Sequence, residues 1–100
     1  MFKIDPARVD LAREFKAKPY GEHSPDLQAV LTVMRGLPIE GKHVLVVTEP
    51  HRQWTLARMT GRPPKPELLS NHVFHSLEEA EWFVFKLRWE QITGQPLPLD

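Results

Sequence analysis

The sequence predicts an α+β fold in two layers, a short antiparallel sheet packed by helices, with one long helix at the C-terminal end. Three observations carry that class. Leu27, Val30, Leu31 and Met34 recur at helical spacing, and a second, longer apolar pattern of the same period starts at Leu77. Between them, residues 43–48 (HVLVVT) are β-branched and apolar on both faces, and residues 53–60 (QWTLARMT) alternate with period two. Ten prolines mark where these segments start and stop.

The first element follows Asp5-Pro6, read as an N-cap with proline at the first helical position. It runs to Ala17 and carries a narrow apolar stripe of Ile4, Leu11 and Phe15, expected to ride on the surface. Lys18-Pro19-Tyr20-Gly21 ends it, because the residue before a proline leaves the α region. Ser24-Pro25 opens the second helix in the same way, and Arg35-Gly36 closes it, with glycine free to take a positive φ.

Residues 43–48 read as a central strand, because such strands are apolar on both faces. Glu49-Pro50-His51-Arg52 then turns the chain into an antiparallel hairpin with residues 53–60. Gly61-Arg62-Pro63-Pro64-Lys65-Pro66 reads as a stiff extended loop, and residues 71–75 as a possible short third strand. Ser76 with Glu79 forms a capping-box pattern and opens the last helix, which stops at Gly94. Residues 95–100 read as an extended tail with exposed Leu97 and Leu99. The expected organisation is one domain over residues 1–100. It comprises a helical arm (1–23), an α-β-β-(β)-α core (24–94) and the tail (95–100).

Composition excludes several function classes. No cysteine is present, which removes disulfides, thiolate metal ligands and cysteine nucleophiles and fits a reducing compartment. Thirteen basic and thirteen acidic residues cancel, so no global field draws the chain to nucleic acid or anionic lipid. The helix–strand–strand–helix order resembles a double-stranded-RNA-binding outline. A lysine cluster should then open the last helix, and Leu77-Glu78-Glu79 stands there instead. No apolar run approaches the ~20 residues of a membrane helix, and residues 1–6 lack a signal-peptide core. A cytoplasmic location is expected.

No catalytic set is legible. His23, His43, His51, His72 and His75 lack metal-ligand spacing and read as ordinary hydrogen-bonded histidines. There is no nucleophile elbow and no glycine-rich phosphate loop. Glu78 and Glu79 sit where a helix N-terminus favours negative charge, which explains them without acid–base work. The charge does have polarity: residues 42–65 hold Lys42, Arg52, Arg58, Arg62 and Lys65 against Glu49, whereas residues 67–100 are net acidic. This either orients a partner or balances across the fold.

The last helix holds the strongest functional signal. Leu77, Ala80, Phe83, Val84 and Leu87 fall on one stripe, suited to the sheet. Trp82, Phe85, Trp89 and Ile92 fall on a second, about 120° away at 100° per residue. Left in water, two tryptophans and a phenylalanine forgo several kcal/mol of burial, roughly 150–250 Å² each at ~25 cal/mol/Å². Trp82, Phe85, Trp89 and Ile92, with Arg52 and Arg62, are therefore the candidate partner interface. The open alternative is that the N-terminal helix, through Leu11 and Phe15, folds back over that stripe.

Several of these residues together resemble a known family. Lys18-Pro19-Tyr20-Gly21, His23-Ser24-Pro25 and Leu27-Gln28 are similar to the lead-in of the small subunit of bacterial N,N-dimethylformamidase. The likeness continues through Met34-Arg35, the strand before Glu49, Trp54 with Ala57, the proline loop, Phe74, Glu78-Glu79-Ala80 and Leu87-Arg88, about residues 18–90. It implies a hetero-oligomeric amide hydrolase in which a large subunit holds a mononuclear iron and performs the hydrolysis. The small subunit packs against it and supplies no catalytic residue and no iron ligand. This chain's N-terminal arm is shorter than the family's, which puts contacts made by that arm in doubt. The competing expectation is a free-standing adaptor or regulatory domain for another macromolecule.

Overall fold

The computed structural model describes residues 3–99. In chain order the elements are α1 (Val9–Ala17), α2 (Pro25–Arg35), β1 (His43–Glu49), β2 (Gln53–Thr60), β3 (Lys65–Phe74) and α3 (Leu77–Thr93). Three helices and a three-stranded antiparallel sheet of order β1-β2-β3 make this the α+β class expected. The chain forms two compact units, one of the residues up to Leu37 and from Phe85 on, the other Pro38–Val84.

In the first unit, Asp5 does not cap α1. Its Oδ1 accepts the Ala7 N–H at 2.8 Å, a local Asx turn, and the helix begins a turn later, at Val9, behind an N-cap, Arg8, whose side chain does not cap it. The stripe expected on the surface is buried instead: Ile4, Leu11, Ala12 and Phe15 are all core. Ala12, fully buried, accounts for the difference, since a small residue widens the stripe without adding hydrophobic signal. α2 follows its N-cap pattern. Ser24 Oγ accepts the Leu27 N–H at 3.2 Å, and Leu27, Val30, Leu31 and Met34 are buried. Gly36 closes it at φ −82°, so no left-handed cap forms, and its N–H reaches the Thr32 and Val33 carbonyls instead. Of the two tail leucines expected in solvent, Leu97 is buried and Leu99 half-buried.

Two polar clasps join α1 to α2. The Glu14 carboxylate accepts both the Ser24 N–H (2.7 Å) and the Ser24 hydroxyl (2.6 Å). Arg8 donates to Asp10 at 3.0 Å and to Asp26 at 3.1 Å. The second clasp is exposed, so solvent screening leaves it little stabilising effect. In the first, the Ser24 hydroxyl and then its N–H hold the Glu14 carboxyl below its ordinary value of 4.5. Glu78 in α3 is lowered in the same direction, first by its own backbone N–H and then by the Ser76 hydroxyl. A carboxyl depressed on folding lends stability that is complete above its unfolded value and lost as pH falls through the folded one. The melting temperature should therefore fall as pH drops below about 4.5, and Glu14→Gln should flatten that slope while lowering stability at pH 7. A Glu14→Gln acid profile parallel to that of the parent chain would contradict this.

The second unit holds the sheet. β2 is its centre, pairing with β1 through Leu45↔Leu56 and Val47↔Trp54 and with β3 through Trp54↔Phe74 and Thr55↔Val73. β1, expected in the middle, is an edge: the chain after β2 turns back at Gly61 (φ +84°) and lays β3 on the far side. β3 is also longer than expected, because it includes Lys65 and Pro66 of the supposed loop. An edge strand can carry a proline, whose missing N–H costs nothing where it faces outward. The β2–β3 register breaks once, with Thr55 opposite Val73 but Ala57 opposite Leu68. α3 opens as its cap predicts, with Ser76 Oγ accepting the Glu79 N–H at 3.3 Å. It stops at Gly94, where φ is +76° and the N–H bonds to the Glu90 carbonyl at 2.8 Å.

Candidate partner interface

α3 does not present the aromatic stripe that its sequence advertises. Trp82, Phe85 and Trp89 are 8%, 2% and 1% exposed, and Ile92 is half-buried. In the first unit Phe15 of α1 stacks on Phe85 with ring centroids 4.4 Å apart, and Phe85 packs on Trp89 at 5.9 Å. The N-terminal helix thus covers Phe85, and the expected exposure of these residues is corrected. The stripe assigned to the interior is the less buried of the two, since Leu77, Phe83 and Leu87 are all half-buried. Phe83 packs on Phe74 of β3 at 5.3 Å and on His72 at 5.0 Å, within the second unit.

Accessible apolar surface lies elsewhere. Of the five large hydrophobic residues left exposed among the described residues, four belong to the second unit: Ile39 (62%), Val47 (56%), Leu68 (50%) and Val73 (38%). Register places Leu68 and Val73 on one side of the sheet, beside Ala57 and Thr55 of β2 and Val44 and Val46 of β1. No charged residue stands among those six, and the small central pair, Thr55 and Ala57, is buried. Thr55 also closes its polar group, sharing a hydrogen bond with the Thr48 hydroxyl at 3.0 Å.

Arg52 and Arg62, the two cations expected at an interface, are in the same unit and both exposed. Arg52 sits at the β1–β2 turn beside His51, which takes a positive φ of 61°. Arg62 sits in the β2–β3 turn, 4.0 Å from Glu40 at the limit of an ion pair. The second unit therefore carries exposed aliphatic side chains and, in the turns at the two ends of β2, exposed guanidinium groups. That combination suits macromolecular docking, with apolar contacts central and arginine at the rim. The sequence signal for it was present but weak, because isolated Leu68 and Val73 in a segment read partly as loop carry no periodicity.

Two of the histidines have identifiable partners. The His23 Nε2–H donates to the Lys18 carbonyl at 2.8 Å, and its ring lies 6.2 Å from that of Phe15. His72 is engaged with the Phe83 ring. Among the described residues no three histidine or carboxylate side chains gather closely enough to hold a metal ion. A small cavity of about 120 Å³ in the first unit is lined by Lys3, Asp5, Arg8, Leu11, Asp26 and Val30, with Arg8 already bonded to Asp26 across it.

The N,N-dimethylformamidase alpha subunit family matches the chain over residues 5–96. The chain belongs to that family. No curated protein matches it. The match covers all six elements of a dimethylformamidase alpha subunit as found here, including β3 and both turns that carry Arg52 and Arg62. Membership makes the chain one subunit of a larger assembly. Among the described residues no helix is long and apolar enough to cross a membrane.

Proposed function

We propose that this alpha subunit is the non-catalytic small subunit of a hetero-oligomeric, cytoplasmic amide hydrolase, packing on and stabilising a large catalytic subunit. The observation that carries this reading is the family match across residues 5–96. It is supported by exposed Ile39, Leu68 and Val73 in the same unit as Arg52 and Arg62, which stand in the turns at the two ends of β2. That unit is the docking surface we assign to the large subunit. Dimethylformamidase chemistry calls for a mononuclear iron in the resemblance drawn above. The described residues offer it no ligand set, so we assign the iron to the large subunit. The small subunit's part is mass action: binding only the folded partner stabilises it by RT ln(1 + [L]/Kd), about 2.7 kcal/mol at a hundredfold excess over Kd.

Expression of this chain alone, of the large subunit alone, and of both together tests the reading. The pair should co-purify and release formate from N,N-dimethylformamide, this chain alone should not, and the large subunit alone should lose activity faster on warming. Failure to co-purify, or turnover by this chain alone, would refute it.

A further inference from the structure

The turn between β1 and β2 is shaped for a residue other than the one it carries. The Arg52 N–H bonds to the Glu49 carbonyl at 3.0 Å, closing a four-residue turn over Glu49-Pro50-His51-Arg52. Proline fixes φ at about −65° at the second place, and the third, His51, takes φ +61°. That is the type II arrangement, whose third place calls for glycine or asparagine. Among the described residues His51 is the one residue other than glycine at a positive φ; Gly21, Gly41, Gly61 and Gly94 hold the others. A β-carbon crowds the backbone there, so histidine is less stable in this place than glycine would be.

No contact within the chain offsets that strain. The His51 ring is exposed and makes no hydrogen bond, ion pair or ring contact among the described residues. The hairpin is braced below the turn instead. There the Thr48 hydroxyl meets the Thr55 hydroxyl at 3.0 Å and accepts the Gln53 side-chain N–H at 3.0 Å. A residue held in strain, with a side chain that its own chain does not use, points to a use outside the chain. Arg52 is in the same position. Its guanidinium has no partner among the described residues, and Glu49 lends the turn its carbonyl without pairing to it. Glu49, Pro50, His51 and Arg52 are all exposed in the chain as a whole, so the tip is accessible.

We propose that His51 and Arg52 together bind one carboxylate of the large subunit, flanked by Pro50 and by Val47, which is 56% exposed. A guanidinium fork and an imidazole N–H are both donors, and one carboxylate accepts from both at once. With zero net charge the chain has no long-range attraction to nucleic-acid phosphates, which favours a protein carboxylate as the acceptor. This contact rests on the subunit reading and names what the hairpin end of the sheet recognises in it.

Four variants of the full chain test it: His51→Gly, His51→Asn, Arg52→Gln, and His51→Gly combined with Arg52→Gln. His51→Gly should melt about 2–5 °C above the parent, because the freedom that glycine adds to the unfolded chain offsets only part of the relieved strain. In titrations against the purified large subunit, each single variant should bind about tenfold or more weakly. His51→Asn keeps the turn without the ring and should bind as weakly as His51→Gly. The double variant should lose clearly less than the product of the two single losses, because both side chains address one acceptor. His51→Gly melting at or below the parent, or His51→Asn binding like the parent, would overturn the proposal. Losses that multiply in the double variant would overturn it too, since two independent contacts give that result. A parent chain that does not bind the large subunit at all would sink the subunit reading together with this contact. Binding by the parent with no loss in any variant would sink this contact alone.

Discussion

Trp89→Ala should destabilise this chain by about 3–5 kcal/mol, the usual cost of deleting a fully buried tryptophan. Trp89 is 1% exposed, against the Phe85 ring on which Phe15 stacks, so its removal opens a void beneath the contact between α1 and α3. A domain of this size holds roughly 5–15 kcal/mol in total, and each kcal/mol moves its melting point by about 4–8 °C. A fall of at least ~12 °C is expected, or an outright failure to fold at 37 °C. Leu87→Ala, at a half-buried position, should cost clearly less. Urea titrations of the two variants check the order. Equal losses, or a Trp89→Ala chain within ~1 kcal/mol of the parent, would show that the aromatic stripe is not core.

Leu68→Asp should lower affinity for the large subunit by thirtyfold or more while leaving the melting point within a few degrees of the parent. Leu68 is half exposed on edge strand β3, so a carboxylate there stays hydrated in the free chain. Buried against a partner, the same carboxylate loses its water without a matched cation, and the apolar contact is lost as well. Interface anchors lost in this way cost about 2 kcal/mol or more, which is the thirtyfold. Val73→Asp, on the same side of the sheet, should act in the same direction. Titration of the parent and both variants against the purified large subunit gives the comparison. Unchanged affinity in both would remove that side of the sheet from the interface.

Local grammar in the sequence was legible because it is written within a few residues. Ser24, Ser76 and Gly94 each mark a helix end by hydrogen bonds spanning three or four positions, and each does so in the structure. The hairpin between Glu49 and Gln53 is equally local. What escaped were choices between distant segments that the pattern leaves equivalent. The two stripes of α3 are both apolar, and which one is covered more completely depends on α1, some seventy positions away in sequence, placing Phe15 over Phe85. β1 looked central because it is apolar on both faces, but its place was decided by β3 pairing with β2. Glu14 was invisible as a partner of Ser24 because its role needs α1 and α2 side by side. The residues proposed for the interface divide in the same way: Arg52 and Arg62 stand out by charge, whereas Leu68 acquires meaning only once β3 is known to include it.

Amide hydrogen exchange on the chain, free and then bound to the large subunit, tests the interface most directly. The account predicts that protection gained on binding concentrates in residues 65–74 and the turns around Arg52 and Arg62, with the segment around Phe85 and Trp89 protected equally in both states. New protection confined to α3, with the strands unchanged, would contradict it and return the interface to the aromatic stripe.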